Sequence, residues 1–196
     1  MTITVAPLTG GALKAALPDL ARLRIEVFRE WPYIYDGSYD YEATYLANFA
    51  ASQGSVVIAA IDGDRLVGAS TATPMGGHAK EFAAPFISRG YDITRLFYFG
   101  ESVLLRAYRG RGFGHAFFDQ REAHARALGG FTSATFCAVV RPDNHPMRPM
   151  GFTSIDGFWR KRGYAPVPGL VGAFEWLDIG DHAETSKPMQ YWMKAL

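Results

Sequence analysis

The sequence predicts one α/β (α+β) domain over residues 1–196, with a central sheet flanked by helices. Runs typical of strands alternate along the chain with segments whose apolar residues recur at helical spacing. The 196 residues are 48% hydrophobic and 20% charged, as expected for a globular domain with a sizeable core. Because no repeat, low-complexity tract or linker divides the chain, we expect a single domain.

Composition also restricts the partners and the compartment. A net charge of +1 gives no overall reason to expect nucleic acid or an anionic membrane as a partner. The single cysteine excludes an intrachain disulfide and suits a reducing compartment. The N-terminal residues lack the pattern of a signal peptide, and no apolar run approaches the length of a membrane span. We therefore expect a cytoplasmic protein.

The N-terminal elements are a strand and two helices. Residues 2–6 alternate in polarity as a strand does, and apolar residues at helical spacing predict a helix over 12–29, kinked or interrupted near Pro18. A second helix is expected over 41–51. The connection 31–41 is dense in aromatic residues, which either pack it onto the core or line a pocket that selects the substrate.

A hairpin is predicted next. Strand-like runs at 55–61 and 65–73 are joined by Asp-Gly-Asp, which is a strong hairpin signal. Residues 75–90 are rich in Gly, Ala and Pro and indicate a loop or short helix. His78 in this segment has no ligand-like spacing to another His or Cys, so no metal site is predicted.

Glu101 interrupts an apolar strand predicted over 95–106. A carboxylate in a central strand must be desolvated or face a wet cleft, and burial makes a carboxylate a stronger base. Glu101 has two structural interpretations: it is buried with its hydrogen bonds satisfied, or it lies at a strand edge and points to water. The functional interpretation is a catalytic base. The anion-binding type of turn that follows eight residues later favours the base. Gly100 beside it indicates a bulge or a close backbone approach.

That turn is residues 109–114, RGRGFG, placed between the strand and a helix. Such a layout presents backbone N–H groups to an anionic ligand. A P-loop has Lys where His115 stands, and a dinucleotide fingerprint needs G-x-G-x-x-G where this chain has G-x-G-x-G. A plain tight turn is the remaining structural alternative. The spacing otherwise indicates a pyrophosphate loop of a third kind.

A helix from residue 113 and a strand over 131–140 follow. The predicted apolar face of the helix consists of Phe113, Ala116, Phe117, Ala123, Ala127 and Leu128. Cys137 in the strand is interpreted as core filler, since no Cys-His motif supports a nucleophile.

The C-terminal part begins with a proline-containing loop over 141–157. The short basic helix 158–162 either presents a solvated face or helps to hold an anion. Two strands are predicted at 172–179 and 188–194, separated by a polar turn.

The turn and its surroundings resemble the GNAT superfamily of acyl-CoA-dependent N-acyltransferases. The signature of that family is Arg or Gln, two residues, Gly, one residue, then Gly or Ala, and RGRGFG fits it. The preceding ESVLLRAY resembles the strand that enters this loop, and the order of elements agrees over the whole chain. The resemblance implies a mixed, mostly antiparallel sheet.

The resemblance also implies a set of residues that contact acetyl-CoA. They are Leu104, Leu105, Arg106, Arg109, Gly110, Arg111, Gly112, Phe113, Gly114, His115 and Asn144. Backbone groups of 104–106 would pair with the pantetheine arm, and amides of 110–115 would hold the pyrophosphate at the positive end of the helix. Arg109 and Arg111 would add charge near the phosphates, and Asn144 matches an Asn that contacts pantetheine.

The implied reaction is direct acetyl transfer to an amine. Glu101 matches a frequent position of the general base, acting directly or through water. The family often supplies an acidic Tyr where this chain has Trp159, which cannot donate a phenolic proton. Tyr164, Tyr108 and His145 are substitutes that spacing does not support, so the role of acid stays unassigned.

We therefore expect an N-acetyltransferase that uses acetyl-CoA and an amine, with no metal. A non-catalytic acyl-CoA-binding or sensor domain is the alternative, and a nucleotide-dependent oxidoreductase is disfavoured by the glycine spacing. Homodimers are common among proteins that the chain resembles. The acceptor cannot be deduced from the sequence.

Overall fold

The chain forms one seven-stranded sheet in the order β1-β2-β3-β4-β5-β7-β6. The structure, a computed structural model, describes residues 3–77 and 80–196, so His78 lies outside the described residues. The strands are β1 (Ile3–Leu8), β2 (Val56–Asp62), β3 (Arg65–Pro74), β4 (Leu96–Leu104), β5 (Ser133–Val139), β6 (Ala165–Trp176) and β7 (Thr185–Ala195). Among the strands that the structure describes, β4 and β5 alone pair in parallel, which confirms the mixed, mostly antiparallel sheet.

Five helices flank the sheet within the described part of the chain. They are α1 (Gly10–Phe28), α2 (Tyr39–Ala51), α3 (Lys80–Ile87), α4 (Phe113–Leu128) and α5 (Asp156–Lys161). Side chains from α1, α2 and α4 join the strands in the main core. A smaller core lies under α3 and includes Met75, Phe86, Leu96 and Tyr191.

The helix α1 runs through Pro18 without interruption, contrary to part of the expectation. Proline lacks the N–H that would bond to the carbonyl of Lys14. Both residues are exposed, so water can satisfy that carbonyl.

Two further expectations need correction. Ala123, Ala127 and Leu128 are exposed, whereas Arg121 and Glu122 occupy the buried face of α4. The first residues of β6 were expected to lie outside any strand, but the strand begins at Ala165 and carries a register shift after Pro166. Prolines are tolerated there because β6 is an edge strand.

The parallel pairing of β4 and β5 is short. It joins Leu96–Tyr98 of β4 to residues 133–135 of β5 and then ends, while β5 continues to pair with β7 as far as Val139. The two central strands therefore separate toward their carboxyl ends. The separation opens a gap in the middle of the sheet.

Candidate active site

A cavity of about 950 Å³ occupies this gap. Its wall includes Glu101 and Leu104 from β4, Cys137 from β5, the glycine-rich turn at the start of α4, and residues at the end of α1. The sheet topology thus brings the glycine-rich turn and Glu101 onto a single concave surface, the arrangement expected of a binding site.

The glycine-rich turn has the backbone that anion binding needs. Gly110 and Gly112 have φ angles of 76° and 86°, in the region that favours glycine. Nothing lies within 4 Å of a Cβ built on either residue, so the space over the turn is open. Gly112 is the N-cap of α4, and the N–H groups of Phe113 and Gly114 have no backbone partner among the described residues, whereas that of His115 donates to the carbonyl of Gly112 at 2.9 Å. This end of α4 can therefore receive an anion.

Arg109 is already paired. Its guanidinium donates to both carboxylate oxygens of Glu30, at 2.8 and 3.1 Å, and its Nε donates to the carbonyl of Leu104 at 3.0 Å. Burial opposes the ionisation of Glu30, but the hydrogen bonds and charge of Arg109 hold its pKa below the usual value. The charge of Arg109 is thus largely balanced by Glu30, two residues after the end of α1.

The other predicted cofactor residues are distributed unevenly. Those that line the cavity are Leu104, Arg109, Gly110, Gly112, Phe113, Gly114 and His115. Those outside its lining are Leu105, Arg106, Arg111 and Asn144. Leu105 is buried and its N–H donates to the carbonyl of Val67, and the other three are exposed. Their contacts with a cofactor stay predictions.

The basic helix α5 packs beside the turn. Phe158 of α5 lies 3.4 Å from the position of a Cβ on Gly114, and Arg162 donates to Nδ1 of His115 at 3.2 Å. Arg162 also pairs with Asp119 and Glu122 of α4. These contacts hold α5 against the first turns of α4. The charge of Arg162 is balanced by Asp119 and Glu122.

Glu101 lies at a bulge in β4. Gly100 and Glu101 together oppose Thr71 of β3, and the Glu101 N–H donates to the Thr71 hydroxyl at 3.2 Å. A Cβ on Gly100 would approach that hydroxyl oxygen to 2.4 Å, so the bulge requires glycine. The bulge predicted at Gly100 is confirmed.

The Glu101 side chain is only 3% exposed and is held by Arg24. Arg24 Nη1 lies 2.7 Å from Glu101 Oε2, and Arg24 Nε donates to Glu42 of α2. The second oxygen, Oε1, is buried and has no hydrogen-bond partner among the described residues. The ion pair thus fixes the Glu101 carboxylate, and Oε1 stays available to accept a hydrogen bond.

Arg121 of α4 lines the cavity, although no motif in the sequence pointed to it. It is 1% exposed and donates to the carbonyl of Thr71 at 3.3 Å and the hydroxyl of Ser102 at 3.0 Å. Burial lowers its pKa to about 10. Its guanidinium binds groups on both sides of the bulge, which fixes the backbone around Glu101.

The sequence-based candidates for an acid are engaged elsewhere or lie off the cavity wall. Trp159 packs on Phe136 and Trp192, with ring centroids 4.9 and 5.1 Å apart. The hydroxyl of Tyr164 donates to Glu122 at 3.1 Å, and that of Tyr108 donates to Asp62 at 2.9 Å. His145 packs on Trp31 and is not part of the cavity lining.

Tyr33 is a phenol in the cavity wall that sequence reasoning did not single out. Its ring packs on Phe28 and Trp176, at 4.6 and 6.0 Å between centroids. Its hydroxyl has no hydrogen-bond partner among the described residues, and its electrostatic neighbours are Cys137, Arg24 and Glu101. Burial raises the pKa of Tyr33 well above its usual value, so the phenol stays protonated.

An ion pair fixes the backbone of this aromatic segment. Arg141 pairs with Asp178 at 2.6 Å and donates to the carbonyls of Pro32 and Tyr33, at 2.9 and 2.7 Å. Lys187 also lies 3.4 Å from Asp178. The segment therefore reaches the cavity on a rigid support. Trp31 and Tyr33 line the cavity, whereas Tyr39 and Tyr41 are exposed and lie outside its lining; a role of this segment in substrate selection stays a prediction.

Cys137 is half-buried in the same wall. Its sulfur lies 3.2 Å from the Tyr98 hydroxyl, and burial raises the pKa of the thiol to about 12. A thiol that is protonated at neutral pH is a poor nucleophile, which agrees with the interpretation that Cys137 is not one. Cys137 nevertheless lines the cavity, so it is not core filler alone.

Within the described ranges, no group of three or more His, Cys, Asp or Glu side chains is placed to hold a metal ion. No described helix is long and apolar enough to cross a membrane.

Comparison with known families agrees with this geometry. The model of a family described as "Acetyltransferase (GNAT) family" matches residues 20–152, which is more than half of the chain. No curated protein sequence matches significantly.

Solved structures share the fold at low sequence identity. An aminoglycoside 6'-N-acetyltransferase complexed with coenzyme A has a TM-score of 0.61 at 17% identity, covering 100% of this chain and 97% of that one. Arabidopsis thaliana NAA60 in complex with acetyl-CoA has a TM-score of 0.61 at 16% identity, covering 100% and 99%. A ribosomal-protein-alanine N-acetyltransferase from Brucella melitensis has a TM-score of 0.61 at 15% identity, covering 100% of both chains.

Proposed function

The chain belongs to the acetyltransferase (GNAT) family, and on that premise we propose that it transfers the acetyl group of acetyl-CoA to an amine. One observation carries the proposal: the open N-terminus of α4 and the buried carboxylate of Glu101 line the same cavity, between strands that have separated. Structural relatives that bind coenzyme A or acetyl-CoA support the choice of donor.

The donor would be held by the backbone more than by side-chain charge. Amides of Gly110, Gly112 and Gly114 would receive the pyrophosphate, helped by the positive end of α4. The β4 edge that no longer faces β5 offers backbone groups to the pantetheine arm. Arg109 adds little net positive charge to the phosphate-binding turn because it is paired with the carboxylate of Glu30.

Glu101 would act on the acceptor. The amine must lose a proton before or while it attacks the thioester carbonyl, and Oε1 of Glu101 is an acceptor with no other partner among the described residues. The C–N bond forms, the C–S bond breaks, and the proton from nitrogen passes to Glu101 directly or through water. Arg24 keeps the carboxylate oriented during this step.

Tyr33 would act on the leaving group. The sulfur departs as a thiolate, and a protonated phenol in the cavity wall can donate a hydrogen bond to the charge that develops there. This assigns to Tyr33, on the connection after α1, the stabilising role that Trp159 cannot fill.

A screen of amine acceptors for release of free CoA tests the function, with acetyl-CoA affinity measured separately by calorimetry. We expect micromolar binding and acceptor-dependent thiol release. Tight binding with no release from any amine would favour the non-catalytic sensor, and absence of binding would overturn both. We further propose that the protein acts in the cytoplasm, which its single cysteine supports.

A further inference from the structure

One wall of the cavity is aromatic. It is built by Phe28 at the end of α1, by Trp31 and Tyr33 from the segment that Arg141 supports, and by Phe152. The rings of Phe28 and Tyr33 lie 4.6 Å apart, and those of Trp31 and Phe152 lie 5.9 Å apart. Such a wall binds an apolar body, and rigid rings do so at low entropic cost.

Most charges of the cavity lining are balanced inside the protein. Three ion pairs account for these charges: Glu30 with Arg109, Asp143 with Arg148, and Arg141 with Asp178. Asp178 is the only member of the three pairs that does not line the cavity. A substrate with several ammonium groups would need several free carboxylates to replace its lost hydration. These pairs do not offer them.

Asp156 is a lining carboxylate without a cationic partner among the described residues. It accepts from the hydroxyl of Ser154 and begins α5, whose Phe158 packs at Gly114. Asp156 thus belongs to the end of the cavity where the glycine-rich turn lies.

Two buried polar atoms of the lining residues have no partner among the described residues. One is Glu101 Oε1, an acceptor, and the other is Trp31 Nε1, a donor. An unsatisfied buried group is costly, so each favours a ligand atom that completes its hydrogen bonding. An ammonium suits Glu101. The indole N–H repels a second ammonium and suits an oxygen acceptor. Because Arg109, Arg141 and Arg148 of the lining are already paired with carboxylates of the protein, they do not offer a free charge to a carboxylate, and a neutral oxygen fits better.

We propose that the acceptor is a primary monoamine with an apolar, largely aromatic body, in which any second polar group is a neutral hydrogen-bond acceptor. The ammonium meets Glu101, the body lies against Phe28 and Tyr33, and the neutral oxygen accepts from Trp31 Nε1. This inference rests on the proposed acetyl transfer, since it concerns the second substrate of the same site. Polyamines and aminoglycosides are the classes that it excludes.

Kinetics with matched amines test the inference. Phenethylamine and phenylalaninamide supply the aromatic monoamines, the second with a neutral carbonyl, and putrescine and spermidine supply flexible polycations. We expect kcat/KM for the aromatic amines to exceed that for the polyamines by at least about tenfold. Equal or better turnover of spermidine would overturn the inference while leaving acetyl transfer intact.

Binding separates this inference from the proposed function. Calorimetric titration of the CoA-loaded protein with phenethylamine and with spermidine needs no turnover. Tighter binding of phenethylamine than of spermidine would support the aromatic monoamine site whether or not either amine is acetylated, and acetyl transfer itself is tested by the amine screen. No binding of phenethylamine, or tighter binding of spermidine, would overturn the site.

The variant Trp31→Phe tests the indole donor. It keeps an aromatic ring and removes the N–H, so the preference for phenylalaninamide over phenethylamine should fall by about fivefold, as expected for one lost hydrogen bond. Tyr39→Phe is the matched control, because Tyr39 is 58% exposed and is not part of the cavity lining. An unchanged ratio in Trp31→Phe would overturn the assignment of the indole.

Discussion

Arg24 on α1 lies 2.7 Å from Glu101 on β4, and the same guanidinium binds Glu42 on α2. The carboxylate that interrupts an apolar strand is therefore held by two helices as well as by its own bulge. Breaking a buried ion pair by removing one partner typically costs about 3–5 kcal/mol, so the geometry around Glu101 is strongly determined.

Glu101→Gln should separate binding from chemistry. The amide fills the same volume but cannot take a proton from the acceptor, so we expect a rate loss of about 10²–10⁴-fold with acetyl-CoA affinity nearly unchanged. Single-turnover kinetics and calorimetry measure the two quantities. Glu175→Gln on the exposed side of β6 is the control. An unchanged pH–rate profile in Glu101→Gln would exclude this residue as the base.

Gly112→Val should abolish CoA binding. The residue has a φ of 86° and open space above it, so valine strains the turn and projects into the space an anion would fill. Gly130→Val is a matched control, since Gly130 has a φ of 83° and equally open surroundings at the other end of α4. Intact affinity in the Gly112 variant would contradict the pyrophosphate loop.

Tyr33→Phe should slow the single-turnover rate by about tenfold through the loss of one donor to a developing charge. Acetyl-CoA affinity should change little, because the ring and its packing remain. Tyr41→Phe, at an exposed tyrosine outside the cavity lining, controls for phenol removal. A Tyr33→Phe rate equal to the parent rate would rule out a role in the departure of sulfur.

Asp178→Asn should destabilise the protein in a pH-dependent way. Burial opposes ionisation of Asp178, but Arg141 and Lys187 hold its pKa below the usual 3.8. A carboxyl with a lowered folded-state pKa contributes stability above its unfolded-state pKa and loses it as the pH falls. We expect a loss of about 3 kcal/mol near pH 7 that shrinks toward pH 3, measured by urea denaturation. If the decrease in the free energy of unfolding did not depend on pH, the stabilising role of the ion pair between Asp178 and Arg141 would be contradicted.

Local patterns in the sequence located most of the helices and strands and the glycine-rich turn, whereas the arrangement of the sheet was expected from the family resemblance. The spacing of Gly110, Gly112 and Gly114 and the Asp-Gly-Asp hairpin each reflect backbone requirements within a few residues. Glu101 stood out because a charge within an apolar strand is locally anomalous.

The remaining features depend on contacts that no local pattern encodes. Arg109 and Glu30 are 79 positions apart in the chain. Arg121 and Glu122 were not among the residues predicted for the buried face of α4, yet they are buried, because partners from β3, β4 and β7 satisfy them. Tyr33 reaches the cavity through bonds to Arg141, 108 positions away. Satisfaction of these polar groups by distant residues overrode the helical pattern.

The pair formed by Arg109 and Glu30 ties the glycine-rich turn to the end of α1, one peptide bond before Trp31. Any phosphate that competes for Arg109 therefore acts on the residue next to the aromatic wall. A phosphate at the turn and a ligand on the aromatic wall would share this contact, and we expect their affinities to be thermodynamically linked. If a ligand at the glycine-rich turn changes the affinity for a ligand at the aromatic wall by some factor, the ligand at the wall changes the affinity at the turn by the same factor.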